Sequence, residues 1–200
     1  MKSAIFILNT LFLLTLYACK DNDKKGNEAL ANMEEAIPIE TEDTSIERGK
    51  YLVTLMDCNT CHTPMKMTEQ GPVPDMSRML SGYPSDRPVP QFDGAIVGKG
   101  ALFPHPDLTA MMGPWGISFA GNLTPHETGI GSWSLQQFSK AIREGKFKGL
   151  ENSRPLLPPM PWQSYANLTD TDLEAIFNYL KSIPPVDNVA PAYITPSGSQ

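Results

Sequence analysis

The sequence predicts a mainly α-helical domain interrupted by a long proline- and glycine-rich loop region. Two observations carry this. Three segments space their apolar residues at helical intervals, and the first and second are separated by about 70 residues through which no long element can be written. The first helix starts near Ser45 and runs to a cysteine motif at Cys58, with Ile46, Leu52, Val53 and Leu55 as its apolar positions. The second opens at Ser134-Leu135-Gln136-Gln137, a capping-box pattern in which hydroxyl and amide reciprocally satisfy backbone N–H groups. Leu135, Phe138, Ala141 and Ile142 form its face, and Gly145 ends it. The third opens at Thr169-Asp170-Thr171-Asp172, where acidic residues suit the positive helix N-terminus. Leu173, Ile176, Phe177, Leu180 and Ile183 line one side, and Pro184-Pro185 stops it. Between the first two helices, Gly71-Pro72-Val73-Pro74 and Arg87-Pro88-Val89-Pro90 argue against continuous strands. Ala95–Val97 and Gly116–Phe119 are expected as short extended pieces or a small hairpin.

Ahead of the domain lies a targeting pattern. Residues 1–18 combine Lys2 with an apolar run from Ala4 to Ala18, at about 15 residues too short for the roughly 20 of a permanent span. The run ends in Leu16-Tyr17-Ala18-Cys19, which resembles a bacterial lipobox, so Cys19 is expected to carry lipid. An ordinary secretory signal with an incidental cysteine is the alternative. Residues 19–44 are rich in charges of both signs and read as a flexible tether, with a root-mean-square span of roughly 25–30 Å. The domain is expected over 45–186, with 187–200 a flexible tail. Net charge is −6, and removing the signal with its single Lys2 takes it to −7. That sign disfavours nucleic acid and anionic headgroups as partners. The chain also lacks a Rossmann fingerprint and a G-x-S-x-G elbow.

Cys58-Asn59-Thr60-Cys61-His62 reads C-x-x-C-H, the attachment sequence for covalent haem c. Two thiols at this spacing can add to the two vinyl groups of a porphyrin edge, and the adjacent histidine then supplies a proximal nitrogen to the iron. The motif occurs once, so one haem is expected. A redox dithiol favours a βαβ setting, which is missing here. A zinc site needs a second ligand pair, and His105 and His126 are isolated. With Cys19 given to lipid, all 3 cysteines have a use. Haem attachment and the export signal point to the same extracytoplasmic compartment.

The second axial position has candidates in His105, His126 and the methionines. Met160 stands out in Pro158-Pro159-Met160-Pro161-Trp162, because flanking prolines stiffen the loop that presents its thioether. Methionine–histidine ligation raises a haem potential. The ordinary role of a methionine is to fill a core gap, and Met56, Met65, Met67, Met76, Met79, Met111 and Met112 are read that way or as surface residues. Trp115, Trp133 and Trp162 suit core packing or contact with haem, and Arg78, Arg87 and Arg154 are candidate partners of its propionates.

Three blocks carry a family resemblance. They are Arg48-Gly49-Lys50-Tyr51-Leu52-Val53 leading into Cys58–His62; Asn122-Leu123-Thr124-Pro125 through Gly129-Ile130-Gly131-Ser132-Trp133 to Arg143-Glu144-Gly145; and Met160-Pro161-Trp162 through Tyr179-Leu180 to Pro184-Pro185-Val186. Together they resemble class I c-type cytochrome domains, particularly the cytochrome subunits of bacterial membrane-associated alcohol and sugar dehydrogenases. The resemblance implies a helical fold around one covalent haem, with His62 and Met160 as axial ligands. It implies that the first and last helices cross where Gly49 lets the backbones approach beside Tyr179 and Ile176. It also implies a proline carbonyl, best matched by Pro72 in Gly71-Pro72, accepting the His62 Nδ1–H. Many relatives carry two or three such domains, whereas this sequence has a single motif.

The expected role is one-electron transfer, without catalysis, between a membrane or periplasmic dehydrogenase and an acceptor such as a terminal oxidase. The site is the cell envelope, with the domain held by lipid on the extracytoplasmic face. Two alternatives stand beside it: a haem enzyme or gas sensor with an open sixth position, and a non-haem lipoprotein whose cysteines form a disulfide or zinc clip.

Overall fold

The computed structural model describes residues 42–91, 97 and 99–196. The signal segment, Cys19 and nearly all of the tether lie outside the described residues. Helix α1 (Glu42–Leu55) ends three residues before Cys58, and the motif forms its own helical turn, α2 (Cys58–His62). The break is at Asp57, a left-handed residue with φ 57°. The motif therefore begins a new turn rather than ending the first helix. Helix α3 spans Leu135–Glu144, α4 Trp162–Tyr165 and α5 Asp170–Ser182.

The cap signals operate largely as read. Ser134 Oγ accepts from the Gln137 N–H and Gly145 closes α3 at φ 65°. The Gln137 amide, however, donates to the Lys148 carbonyl at 2.9 Å instead of returning to the cap. Thr169 caps α5 by accepting from the Asp172 N–H at 3.1 Å. The apolar faces of α1, α3 and α5 meet in one core of Leu52, Val53, Leu80, Ile130, Phe138, Leu173, Ile176, Leu180 and Ile183. Each such side chain contributes about 1.5–3 kcal/mol by leaving water. Helices α1 and α5 touch closely at Gly49, where a Cβ would lie 2.7 Å from the Tyr179 Cβ and 2.6 Å from the Ala175 carbonyl carbon. Arg48 pairs with Asp172 at 2.9 Å across the same crossing, an exposed pair of small worth.

The loop region holds more regular structure than its prolines suggest. Strand β1 (Met65–Thr68) pairs antiparallel with β2 (Gly71–Pro74), matching Met67 to Pro72 and Met65 to Pro74. The expectation that no strand runs through Gly71–Pro74 is thus corrected. In a two-stranded ribbon both strands are edges, and prolines two apart turn their missing N–H positions away from the ladder. A second sheet runs in the order β3 (Phe103–Pro104), β4 (Ala110–Gly113), β5 (Gly116–Phe119), all antiparallel. Gly116–Phe119 forms the hairpin strand expected of it, while Ala95 and Ile96 lie outside the described residues and Val97 is helical rather than extended.

The two sheets are joined by a buried carboxylate. Asp107 is 3% exposed. It accepts from the Met65 N–H, from Arg87, and from Thr109 Oγ1 at 2.6 Å. His105 Nδ1 lies 2.6 Å from the carboxylate oxygen that Thr109 also bonds. Burial alone raises its pKa, but the bonds from Thr109, Arg87 and His105 outweigh burial and hold the carboxyl well below the usual range. Arg87 is thereby engaged by Asp107.

The C-terminal segment is a second correction. Residues 187–196, expected within a flexible tail, pack on the domain. Asn188 is 1% exposed, donates through Nδ2 to the Ser81 and Tyr83 carbonyls at 2.7 and 2.9 Å, and accepts from the Ser85 N–H at 2.8 Å. Ile194 exchanges backbone hydrogen bonds with Ile117 at 2.9 and 3.1 Å, extending the β5 edge. The buried carbonyls at 81 and 83 need partners, and this segment supplies them, along with partners for the main chain at 85 and 117.

Candidate haem site

Helix α2 presents Cys58, Cys61 and His62 from one turn, and both thiols are free. Burial, with a smaller contribution from Asp57, pushes the Cys58 thiol up to about 11 and raises Cys61. A redox dithiol needs the opposite, a depressed pKa that supplies thiolate. Among the described residues no three His, Cys, Asp or Glu side chains converge as a metal site, so a zinc clip lacks its remaining ligands.

His62 is the informative residue. Its Nδ1 lies 2.7 Å from the Gly121 carbonyl oxygen. A carbonyl only accepts, so Nδ1 carries the proton and Nε2 keeps its lone pair. The imidazole is therefore fixed in the tautomer an axial ligand requires. Burial lowers its pKa and the Gly121 bond partly opposes that, which favours the neutral, ligating form. Two free thiols on one turn with a ligand-ready histidine beside them fit covalent haem c.

The acceptor corrects the Pro72 assignment. Pro72 is exposed on β2, opposite Met67, and the His62 bond goes to Gly121, 59 residues downstream. Strand β5 delivers that carbonyl: Ala120, directly after it, donates its N–H to Thr109 and accepts from Tyr83 N–H at 3.0 Å.

Met160 sits half-buried on a heavily braced loop. Its N–H donates to the Leu157 carbonyl at 3.2 Å. Ser118 Oγ donates to the Pro158 carbonyl at 2.6 Å, and Trp162 packs over Gly145, where a Cβ would lie 2.9 Å from a ring carbon. Beyond it, the Tyr165 hydroxyl donates to the Met56 carbonyl at 3.1 Å, returning the chain to the residues ahead of Cys58. Sequence reasoning missed Tyr165 and Gly121; the nearest signal was the Asn122-Leu123-Thr124-Pro125 block that follows Gly121.

Of the candidate propionate partners, Arg78 pairs with Asp86 at 3.1 Å and Arg87 with Asp107. Arg154 instead lies over the Phe147 ring at 3.9 Å and the Tyr193 ring at 5.4 Å. Trp115 donates to Ser118 at 3.3 Å, so its N–H serves the sheet.

The model of the cytochrome c family matches residues 46–184, from α1 to the end of α5. The chain belongs to the cytochrome c family. Membership implies covalently attached haem c with its iron, in accord with the thiol and imidazole chemistry above. This cytochrome c domain is 32% identical over 148 residues to a subunit of nicotinate dehydrogenase from Pseudomonas putida, covering 74% of the chain and 9% of that protein. It is 30% identical over 169 residues to the fructose dehydrogenase cytochrome subunit of Gluconobacter japonicus, covering 83% and 27%. It is also 30% identical over 138 residues to the gluconate 2-dehydrogenase cytochrome c subunit of Pantoea cypripedii, covering 68% and 23%. The chain thus spans about a quarter or less of the length of these relatives. Among the described residues no helix is long and apolar enough to cross a membrane.

Proposed function

We propose that the chain is a monohaem, lipid-anchored one-electron carrier that takes electrons from a membrane or periplasmic dehydrogenase and passes them to an acceptor such as a terminal oxidase. The observation that carries this reading is the His62 tautomer, proton on Nδ1 and lone pair on Nε2, beside two free thiols. When bound, haem c supplies a one-electron couple. The residues do the rest. Cys58 and Cys61 would tether the group, and His62 and Met160, the latter on its stiff loop, would hold its metal. With His62 and Met160 both engaged in this way, no position would be left for substrate at the metal, which favours electron transfer over catalysis. The dehydrogenase partner is argued from relatives named as cytochrome subunits of fructose and gluconate dehydrogenases.

The native full-length chain, matured in a host that attaches haem c, is expected to stain for haem after denaturing electrophoresis and to contain one haem per polypeptide by pyridine haemochrome. A chain without covalent haem sinks the proposal. Anchoring through Cys19 rests on the Leu16-Tyr17-Ala18-Cys19 pattern. Cys19→Ala is expected to move the folded domain from the membrane fraction to the soluble fraction. Retention of the variant on membranes would assign the attachment to another feature.

A further inference from the structure

The His62–Gly121 hydrogen bond is backed by a residue with no side chain. Gly82 donates its N–H to the His62 carbonyl at 2.7 Å, so it holds the main chain of the same histidine whose ring bonds Gly121. Gly82 has φ +79°, and a Cβ placed on it would lie 2.6 Å from both the carbon and the oxygen of the Gly121 carbonyl, and closer still to the Ala120 oxygen. Main chain at 82 therefore packs directly against the acceptor.

Neither side of this contact has room to yield. Ser81 and Tyr83 are 0% exposed, and the Asn188 amide grips the carbonyls of both, at 2.7 and 2.9 Å. On the other side, Ala120 donates to Thr109 at 2.8 Å. Asn122 is buried, accepts from the Thr124 N–H at 2.9 Å and donates to the Val186 carbonyl at 2.8 Å. The Gly121 carbonyl is thus held from behind by Gly82 and along the chain by two fixed neighbours.

We propose that Gly82 is a positioning residue for the His62–Gly121 hydrogen bond and, through the donor strength of the imidazole, a determinant of the reduction potential. The proposal rests on the reading of His62 as an iron ligand. A carbonyl that accepts the distal N–H of a ligating imidazole raises ligand basicity and favours the oxidised metal. A Cβ at 82 pushes the carbonyl off the ring, weakens that donation and favours the reduced metal.

The test uses the haem-loaded full chain and two variants. Gly82→Ala is expected to raise the potential by a tenfold change in the one-electron equilibrium, about 59 mV. Gly71→Ala shares the positive-φ strain, at +109°, yet its Cβ meets nothing within 4 Å. It is expected to keep the native potential. A native potential in Gly82→Ala, or an equal shift in Gly71→Ala, overturns the proposal. If Gly82→Ala does not fold, hydrogen exchange on the native protein decides it. The Gly82 amide and the His62 Nδ1–H are expected to exchange in step, and ring exchange more than tenfold faster overturns the coupling. Absence of covalent haem from the native chain removes the functional reading and this one together, whereas an unchanged potential removes this one alone.

Discussion

Met160→Ala is expected to leave haem attached, lower the reduction potential, and give a ferrous protein that binds carbon monoxide where the native protein does not. Attachment survives because Cys58 and Cys61 sit on α2, and no thiol is altered. The potential falls because a thioether stabilises reduced iron, and its replacement by water or hydroxide removes that bias. Axial ligands span about 0.8 V of haem potential, and a drop of roughly 100 mV or more is expected here. The loop itself is braced without the Met160 side chain, through the Ser118 hydroxyl on the Pro158 carbonyl and the Trp162 ring on Gly145. The domain is therefore expected to stay folded, and the spectral change to report ligation alone. Reduced spectra with and without carbon monoxide, with a redox titration, check it. Rapid carbon monoxide binding by the native ferrous protein, or an unchanged potential in the variant, would count against Met160 as the ligand and move the reading toward an open-site sensor or enzyme.

What is legible in the sequence is whatever side-chain type encodes. Ser134 announces a helix start because its hydroxyl satisfies an orphan N–H group, and it does so; at α5 Thr169 plays the same part, while Asp170 and Asp172 carry the legible signal. Cys58, Cys61 and His62 stand out as a set because covalent attachment needs those atoms at that spacing, and they share one helical turn. Main-chain chemistry is not. The Gly121 carbonyl serves His62 from 59 residues away, and a carbonyl is present at every position, so no residue type marks it. Pro72 stands in a local Gly-Pro pattern, and the fold uses that pattern for a ribbon instead. Asn188 is invisible for a related reason. An asparagine in a proline-containing tail reads as solvated until the buried carbonyls of Ser81 and Tyr83 are seen facing it. The glutamine of the capping box shows the limit within a helix. Ser134 does its part, while Gln137 takes a tertiary acceptor at Lys148.

Gly49→Ala is expected to destabilise the haem-loaded domain by about 3 kcal/mol, near the upper end for overpacking. By helix propensity alone the change is favourable, since alanine is better than glycine by about 1 kcal/mol inside a helix. Packing reverses the sign. The added Cβ would lie 2.6 Å from the Ala175 carbonyl carbon, closer still to its oxygen, and 2.7 Å from the Tyr179 Cβ. Two of those atoms are backbone in the middle of α5, so no rotamer change relieves the overlap, and the helices have to separate. Separation loosens the contacts of Leu52 and Val53 with Ile176 and Leu180, all at most 6% exposed. Chemical denaturation followed by far-ultraviolet circular dichroism measures the loss, and a native midpoint in the variant would show that α1 and α5 do not depend on close approach at residue 49. The same separation bears on the site. Helix α1 carries the chain into Asp57 and the Cys58 turn, and the Met56 carbonyl is the acceptor of Tyr165 beyond the Met160 loop. A shift of α1 against α5 is therefore expected to disturb the Cys58 turn and its tie to Tyr165, and, if Met160 is the proposed ligand, partial carbon monoxide binding by folded Gly49→Ala is the expected sign of it.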